Sequence, residues 1–203
     1  MLRLTRPPGL LEEDRRLVDR CASGDRAAQT QLFRSEVQRV HALLCRILGT
    51  SAAVEDLIQE TFIRVFRSLP QFRGEAQLST WVGRVAIRVA IEHLRTKRRR
   101  AELLEAVPPD SASEPSAEQR VVARQGLRRL YQIVGRLDAK LRVAYTLHVI
   151  DGRPLREVAS MMSTSVLATK TRVWRARREI ERRAKTDPWL SSFVQNAPLG
   201  ETS

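Results

Sequence analysis

The chain has 203 residues and carries 36 Lys/Arg against 23 Asp/Glu, a formal charge of +13 with a pI near 11.2. A balance this basic points to a polyanionic partner, nucleic acid ahead of an anionic membrane surface. Two cysteines, Cys21 and Cys45, make no disulfide framework, the opening MLRLTRPPGLLEEDRRL lacks the apolar core of a signal peptide, and no apolar run is long enough to span a membrane. The expectation is a cytoplasmic, all-α, basic protein without membrane insertion.

In chain order, helical periodicity predicts a first helix over about 12–22, after an amino-terminal tail of residues 1–11. A second helix runs from Asp25 to Leu48, with Gly49 placed to end it. A third follows Ser51 as N-cap and reaches about Leu69, just before Pro70. A fourth begins after Ser79 and continues into the cationic run Lys97–Arg100, which closes a first domain over 12–100. PQFRGEAQL forms the loop between the last two helices.

Charge then reverses. Residues 1–100 are net +8, residues 101–119 net −5, and residues 120–203 net +10. AVPPDSASEPSAEQ is poor in bulky apolar residues and cannot offset its own ordering entropy, so 101–119 is expected to be a flexible acidic linker. Helices resume in a second domain, 120–185, and the pattern is lost again over the tail 186–203 with Trp189 and Phe193.

Within the second domain, RPLREVASMMSTSVLATKTRVWRARREI reads as two helices joined by a turn at Ser163–Ser165. Leu155, Val158, Ala159 and Met162 make one apolar face. Val166, Thr169, Val173, Ala176 and Ile180 recur as the buried stripe of the second helix. Lys170, Thr171, Trp174, Arg175 and Arg178 face outward, and a helix-turn-helix with such a face fits a DNA major groove. The competing reading is a solvated basic helix with Trp174 packed at a domain seam.

In the first domain, AVEDLIQETFIRVFRSL places Val54, Leu57, Ile58, Phe62, Val65 and Leu69 toward a core, with Asp56, Gln59, Glu60 and Ile63 opposite. Asp56 and Glu60 have the spacing of a metal-ligand pair, but no second cluster accompanies them, and a docking face is expected instead. His41 and Cys45 share a helix face in the same way and are expected to be core residues. STWVGRVAIRVAIEHLRTKRRR buries Val82, Val85, Ala86, Val89 and His93, while Arg84, Arg88 and Arg95 form a second basic stripe.

EDLIQETFIRVF resembles the core-binding helix of bacterial RNA polymerase sigma subunits, and STWVGRVAIRVAIEHLRTKRRR their −10 promoter helix. LDAKLRVAYTLHVIDGRPLREVASMMSTSVLATKTRVWRAR resembles their −35-reading domain. With two folded domains joined by a linker, the layout is similar to the extracytoplasmic-function (ECF) group, which lacks the long amino-terminal region and the middle domain of housekeeping sigmas. The resemblance implies a non-enzymatic initiation factor without catalytic residues, metal or other cofactor. It binds core RNA polymerase, through the largest-subunit clamp coiled coil and the flap, and promoter DNA, and is held by an anti-sigma factor.

By that resemblance, Asp56, Gln59, Glu60 and Ile63 dock on polymerase. Phe72, Arg73, Trp81, Arg84, Arg88, Arg95, Lys97, Arg98, Arg99 and Arg100 serve the −10 element. Ser165, Lys170, Thr171, Arg172, Trp174, Arg175 and Arg178 serve the −35 element. Phe72 and Trp81 are the candidates to stack on an unpaired base, against the plainer alternative that they pack the loop onto the helices. The acidic linker is expected to thread a basic channel of the polymerase, or to be only a soluble spacer. An ordinary helix-turn-helix regulator, acting without polymerase, and a DNA-cleaving enzyme are the rival readings.

Four positions depart from the family pattern. Ser163 stands where a turn glycine is usual, Thr169 where a buried aliphatic is usual, Asp138 where proline is frequent and Arg88 where asparagine is frequent. A buried Thr169 hydroxyl requires a hydrogen-bond partner.

Overall fold

The computed structural model describes residues 12–49, 52–103, 129 and 131–187. Its helices are α1 (Glu12–Ala22), α2 (Arg26–Leu48), α3 (Val54–Ser68), α4 (Leu78–Leu103), α5 (131–135), α6 (Ala139–Tyr145), α7 (Leu155–Met161) and α8 (Val166–Thr186). A 3₁₀ turn at Leu69–Gln71 follows α3, and a π-helical segment, Thr146–Ile150, continues α6.

Local chemistry sets the boundaries. The Asp25 carboxylate accepts from the Ala27 and Ala28 amides at the start of α2, and Arg20 pairs with its other oxygen. These bonds hold Asp25 below the ordinary carboxylate range, the Ala28 amide first. Gly49 ends α2 with φ +73°, donating its N–H to the Cys45 carbonyl. Asp138, at the position where the family often has proline, caps α6 by accepting from the Lys140 amide.

Helices α2, α3 and α4 pack together around Leu32, Leu44, Ile47, Phe62, Val65, Val82 and Ile87. A smaller cluster joins Ile133, Val134 and Leu137 to Ala176, Ile180 and Ala184 of α8. The two modules also touch, because Val143, Leu147, Val158 and Met161 extend the first module's core.

Several expectations need correction. Helix α4 starts at Leu78, before Ser79, and runs to Leu103, so its last turn takes in residues expected to be linker. Helix α3 starts after Ala53 with no side-chain cap bond, while Ser51 lies outside the described residues. His41 is exposed and Cys45 half-buried, 3.7 Å from its ring, because that face of α2 looks to solvent. His93 is half-buried rather than buried. On α7, Met161 is buried in place of Met162, since the helix ends at Met161 and Met162 is its C-cap. Val166 is 43% exposed: as the first residue of α8 it precedes the turn that packs. Helix α8 runs on to Thr186 with Asp187 as its C-cap, past the expected end of the second domain at 185, while the rest of the linker and residues 1–11 and 188–203 lie outside the described residues.

Candidate nucleic-acid interface

Helix α8 is built from its cap outward. Ser163 holds φ +49°, the left-handed turn a glycine would adopt without strain, and reverses the chain after α7. The Ser165 hydroxyl then accepts from the Ala168 amide. Ser165 therefore serves as the N-cap, whatever else it meets. Thr169 is fully buried, and its hydroxyl donates to the Ser165 carbonyl at 3.0 Å, so the burial is satisfied.

With Thr169, Val173, Ala176 and Ile180 buried, Lys170, Thr171, Trp174, Arg175 and Arg178 are all exposed. Trp174 is 55% exposed, and the Arg178 guanidinium sits over its ring, 5.2 Å from the centroid. An exposed cation–π pair of this kind is worth about 0.5–1 kcal/mol and orients both groups outward. Arg172 lies toward the edge and is half-buried. Past this face, Glu179 accepts from Arg182 and Arg183, which holds its carboxylate down at about 2. Sequence reasoning missed Leu167, 75% exposed at the start of the same helix; its signal was an apolar residue outside the buried stripe.

On α4, Arg88, Arg95 and the run Lys97–Arg100 are exposed, whereas Arg84 is half-buried. The Arg84 Nη2 donates to Ser160 Oγ on α7 at 2.8 Å. Phe72 and Trp81 pack against each other with centroids 5.0 Å apart and ring planes tilted by 48°, both half-buried against the core, while Arg73 beside them is exposed. The aromatic pair thus packs the loop, and one ring must leave the other before a base can sandwich between them.

On α3, Asp56, Gln59 and Ile63 are exposed, Ile63 at 45%. Glu60 is half-buried and accepts from Arg64, which also bridges to Glu92 on α4. Much of its charge is therefore neutralised locally. Phe33 of α2, edge-on to Phe62 at 4.6 Å, adds a second exposed apolar group that the sequence reading passed over. Among the described residues, no three His, Cys, Asp or Glu side chains converge as metal ligands, and no helix is long and apolar enough to cross a membrane.

Two helical modules, each with a basic face and one of them a helix-turn-helix, have the architecture of a DNA-binding protein. Residues 32–100 match the family description Sigma-70 region 2, and residues 127–180 match Sigma-70, region 4. The chain is 30% identical to the RNA polymerase sigma-H factor of Pseudomonas aeruginosa over 84% of its length and 93% of the relative's. It is also 30% identical to the ECF RNA polymerase sigma-E factor of Escherichia coli K12, over 85% and 94%. In fold it is similar to CnrH, solved with the cytosolic domain of CnrY, at TM-score 0.54 and 23% identity, covering 87% of this chain and 99% of that one. A sigma factor of Bartonella quintana, solved with the anti-sigma factor NepR, gives TM-score 0.54 at 20% identity, covering 78% and 97%. The chain belongs to the sigma-70 family and is an ECF-type sigma factor.

Proposed function

We propose that this sigma factor assigns its surfaces as follows. The outward face of α8, with Lys170, Thr171, Trp174, Arg175 and Arg178, reads a −35 element in duplex DNA. Arg88, Arg95 and Lys97–Arg100 of α4 hold the −10 region by phosphate contacts, and the Phe72–Arg73–Trp81 corner receives an unstacked base. Asp56, Gln59 and Ile63, with Glu60 at the edge, dock on core polymerase. The protein acts by binding, in the cytoplasm where polymerase and promoters are, and an anti-sigma factor holds it in reserve; the similar Bartonella quintana sigma factor was solved in complex with the anti-sigma factor NepR.

The observation that carries the reading is α8: one face closes on the core, and the opposite face exposes three cations and an aromatic ring around a free helix surface. Phosphate contact of this kind makes affinity fall steeply with salt. A regulator working without polymerase would need the same α8, but not the exposed Asp56–Gln59–Ile63 face.

Run-off transcription with bacterial core polymerase tests the assignment. Asp56→Ala is expected to lose association with core enzyme. Arg175→Ala is expected to keep association and lose promoter selection. Unimpaired association of Asp56→Ala would refute the docking face, and unchanged promoter choice by Arg175→Ala would refute the α8 reading.

A further inference from the structure

A single exposed apolar side chain is ordinary on a protein surface and calls for no partner. Leu167 differs because of where it stands. At 75% exposure it is the most open of the large apolar side chains among the described residues, ahead of Trp174. It also lies on the outward face of α8, one turn before Lys170 and Thr171 and two before Trp174, spacings that return to one side of a helix.

The whole first turn of α8 shares this character. Val166 is exposed and Ala168 half-buried, while Thr169, the one polar residue of the turn, is buried with its hydroxyl on the Ser165 carbonyl. One turn further on, the Thr171 hydroxyl donates to the Leu167 carbonyl at 3.0 Å, so its hydrogen is already taken. The cations of this face begin only at Lys170. A helix built to meet a polyanion thus opens on an apolar turn.

In helix-turn-helix proteins, the first residues of the second helix are the ones that reach base edges. In the major groove every base edge offers donors or acceptors, and thymine alone adds a methyl group. A leucine side chain has no polar atom with which to tell hydrogen-bonding edges apart. It gains by covering the methyl group, because water then leaves both surfaces.

We infer that Leu167 is a specificity residue that reads a thymine methyl at one edge of the −35 element. This deepens the proposed duplex-reading role of α8 and rests on it. Leu167 and Arg175 stand about 12 Å apart along the helix axis, at ~1.5 Å per residue, so they address different base pairs.

The test uses the full chain bound to core polymerase, selecting from a pool of duplexes with a randomised segment. Wild type, Leu167→Ala and Arg175→Ala are compared. Alanine favours the helix, and circular dichroism checks it. Wild type is expected to enrich a thymine at one position, a preference that Leu167→Ala loses, while Arg175→Ala loses a preference elsewhere. In the enriched duplex that thymine is then replaced by deoxyuridine, which removes only the methyl group. Wild type should bind the deoxyuridine duplex about four-fold more weakly, the effect of one buried carbon, and Leu167→Ala should bind both duplexes equally.

Equal sensitivity to deoxyuridine in wild type and Leu167→Ala overturns the inference. A Leu167→Ala chain that binds every duplex more weakly, with wild type indifferent to deoxyuridine, also overturns it and places the turn on the sugar–phosphate backbone. If Leu167→Ala keeps the wild-type pool while Arg175→Ala changes it, the inference alone falls. If neither variant changes the pool, the reading of α8 falls with it.

Discussion

Arg142 of α6 donates its Nε hydrogen to the carbonyl of Ile47, 95 residues earlier, at 2.7 Å. Ile47 lies in the last turn of α2, where carbonyls have no intrahelical donor, so a side chain from the second module caps a helix of the first. A cation at that end also suits the helix dipole. Burial holds the guanidinium below its ordinary value. Arg142→Met, which keeps the volume, is expected to lower stability by about 1 kcal/mol, the lost hydrogen bond being partly offset by relief of desolvation. Arg142→Ala adds a cavity and is expected to cost about 3 kcal/mol. Urea midpoints of the two variants check the order.

His93 gives a pH dependence with a definite sign. Burial first, then Lys97 and Arg100 on its own helix and Arg142 on α6, hold its imidazole below the usual 6.5. The unfolded chain thus takes up a proton where the native chain does not, and stability falls as pH drops below about 6.5, until the native His93 itself protonates. Above that pH the contribution is complete. His93→Gln should flatten the difference in melting temperature between pH 7 and pH 5.5 relative to wild type, and an unchanged slope would assign the dependence to other groups.

Ser163 occupies the left-handed region at φ +49° in the turn before α8. A non-glycine side chain there costs about 1 kcal/mol. Ser163→Gly is expected to raise stability by about 0.5–1 kcal/mol, less the extra entropy glycine brings to the unfolded chain. The denaturation midpoint should move up while the slope stays constant. A lower midpoint would mean that the serine makes a contact worth more than the strain.

Thr169→Val tests whether the buried hydroxyl matters. The Ser165 carbonyl that accepts from the hydroxyl also accepts from the Thr169 amide at 3.0 Å, so it stays satisfied in the variant. The change should be within about 1 kcal/mol of neutral. Promoter choice in transcription should not change, because the side chain faces the core.

How much of this was legible beforehand depends on the range of the interaction involved. The stripe of α3, the α8 stripe from Thr169 onward, the Gly49 stop and the Ser163–Ser165 turn follow from neighbours a few residues apart, and they appear where the sequence predicts them. The exposed faces of α8 and of Arg88 and Arg95 follow by elimination from the same stripes. The π-helical Thr146–Ile150, with the Asp151 amide donating back to the Thr146 carbonyl, had no such signal. Asp151 is held there by Arg46 from α2 as well as by nearby Arg153, and the Arg46 partner is beyond any local pattern.

The amino-acid sequence by itself determined the two basic modules, most of their helices and most of the outward residues of each, because helix periodicity and capping are short-range. Only the tertiary structure decided that Arg84 is occupied by Ser160, that Arg142 caps α2, and that Phe72 lies against Trp81. Those outcomes depend on which surfaces meet, and a guanidinium reads the same in a sequence whether it ends in water, on a phosphate or on a carbonyl of another helix.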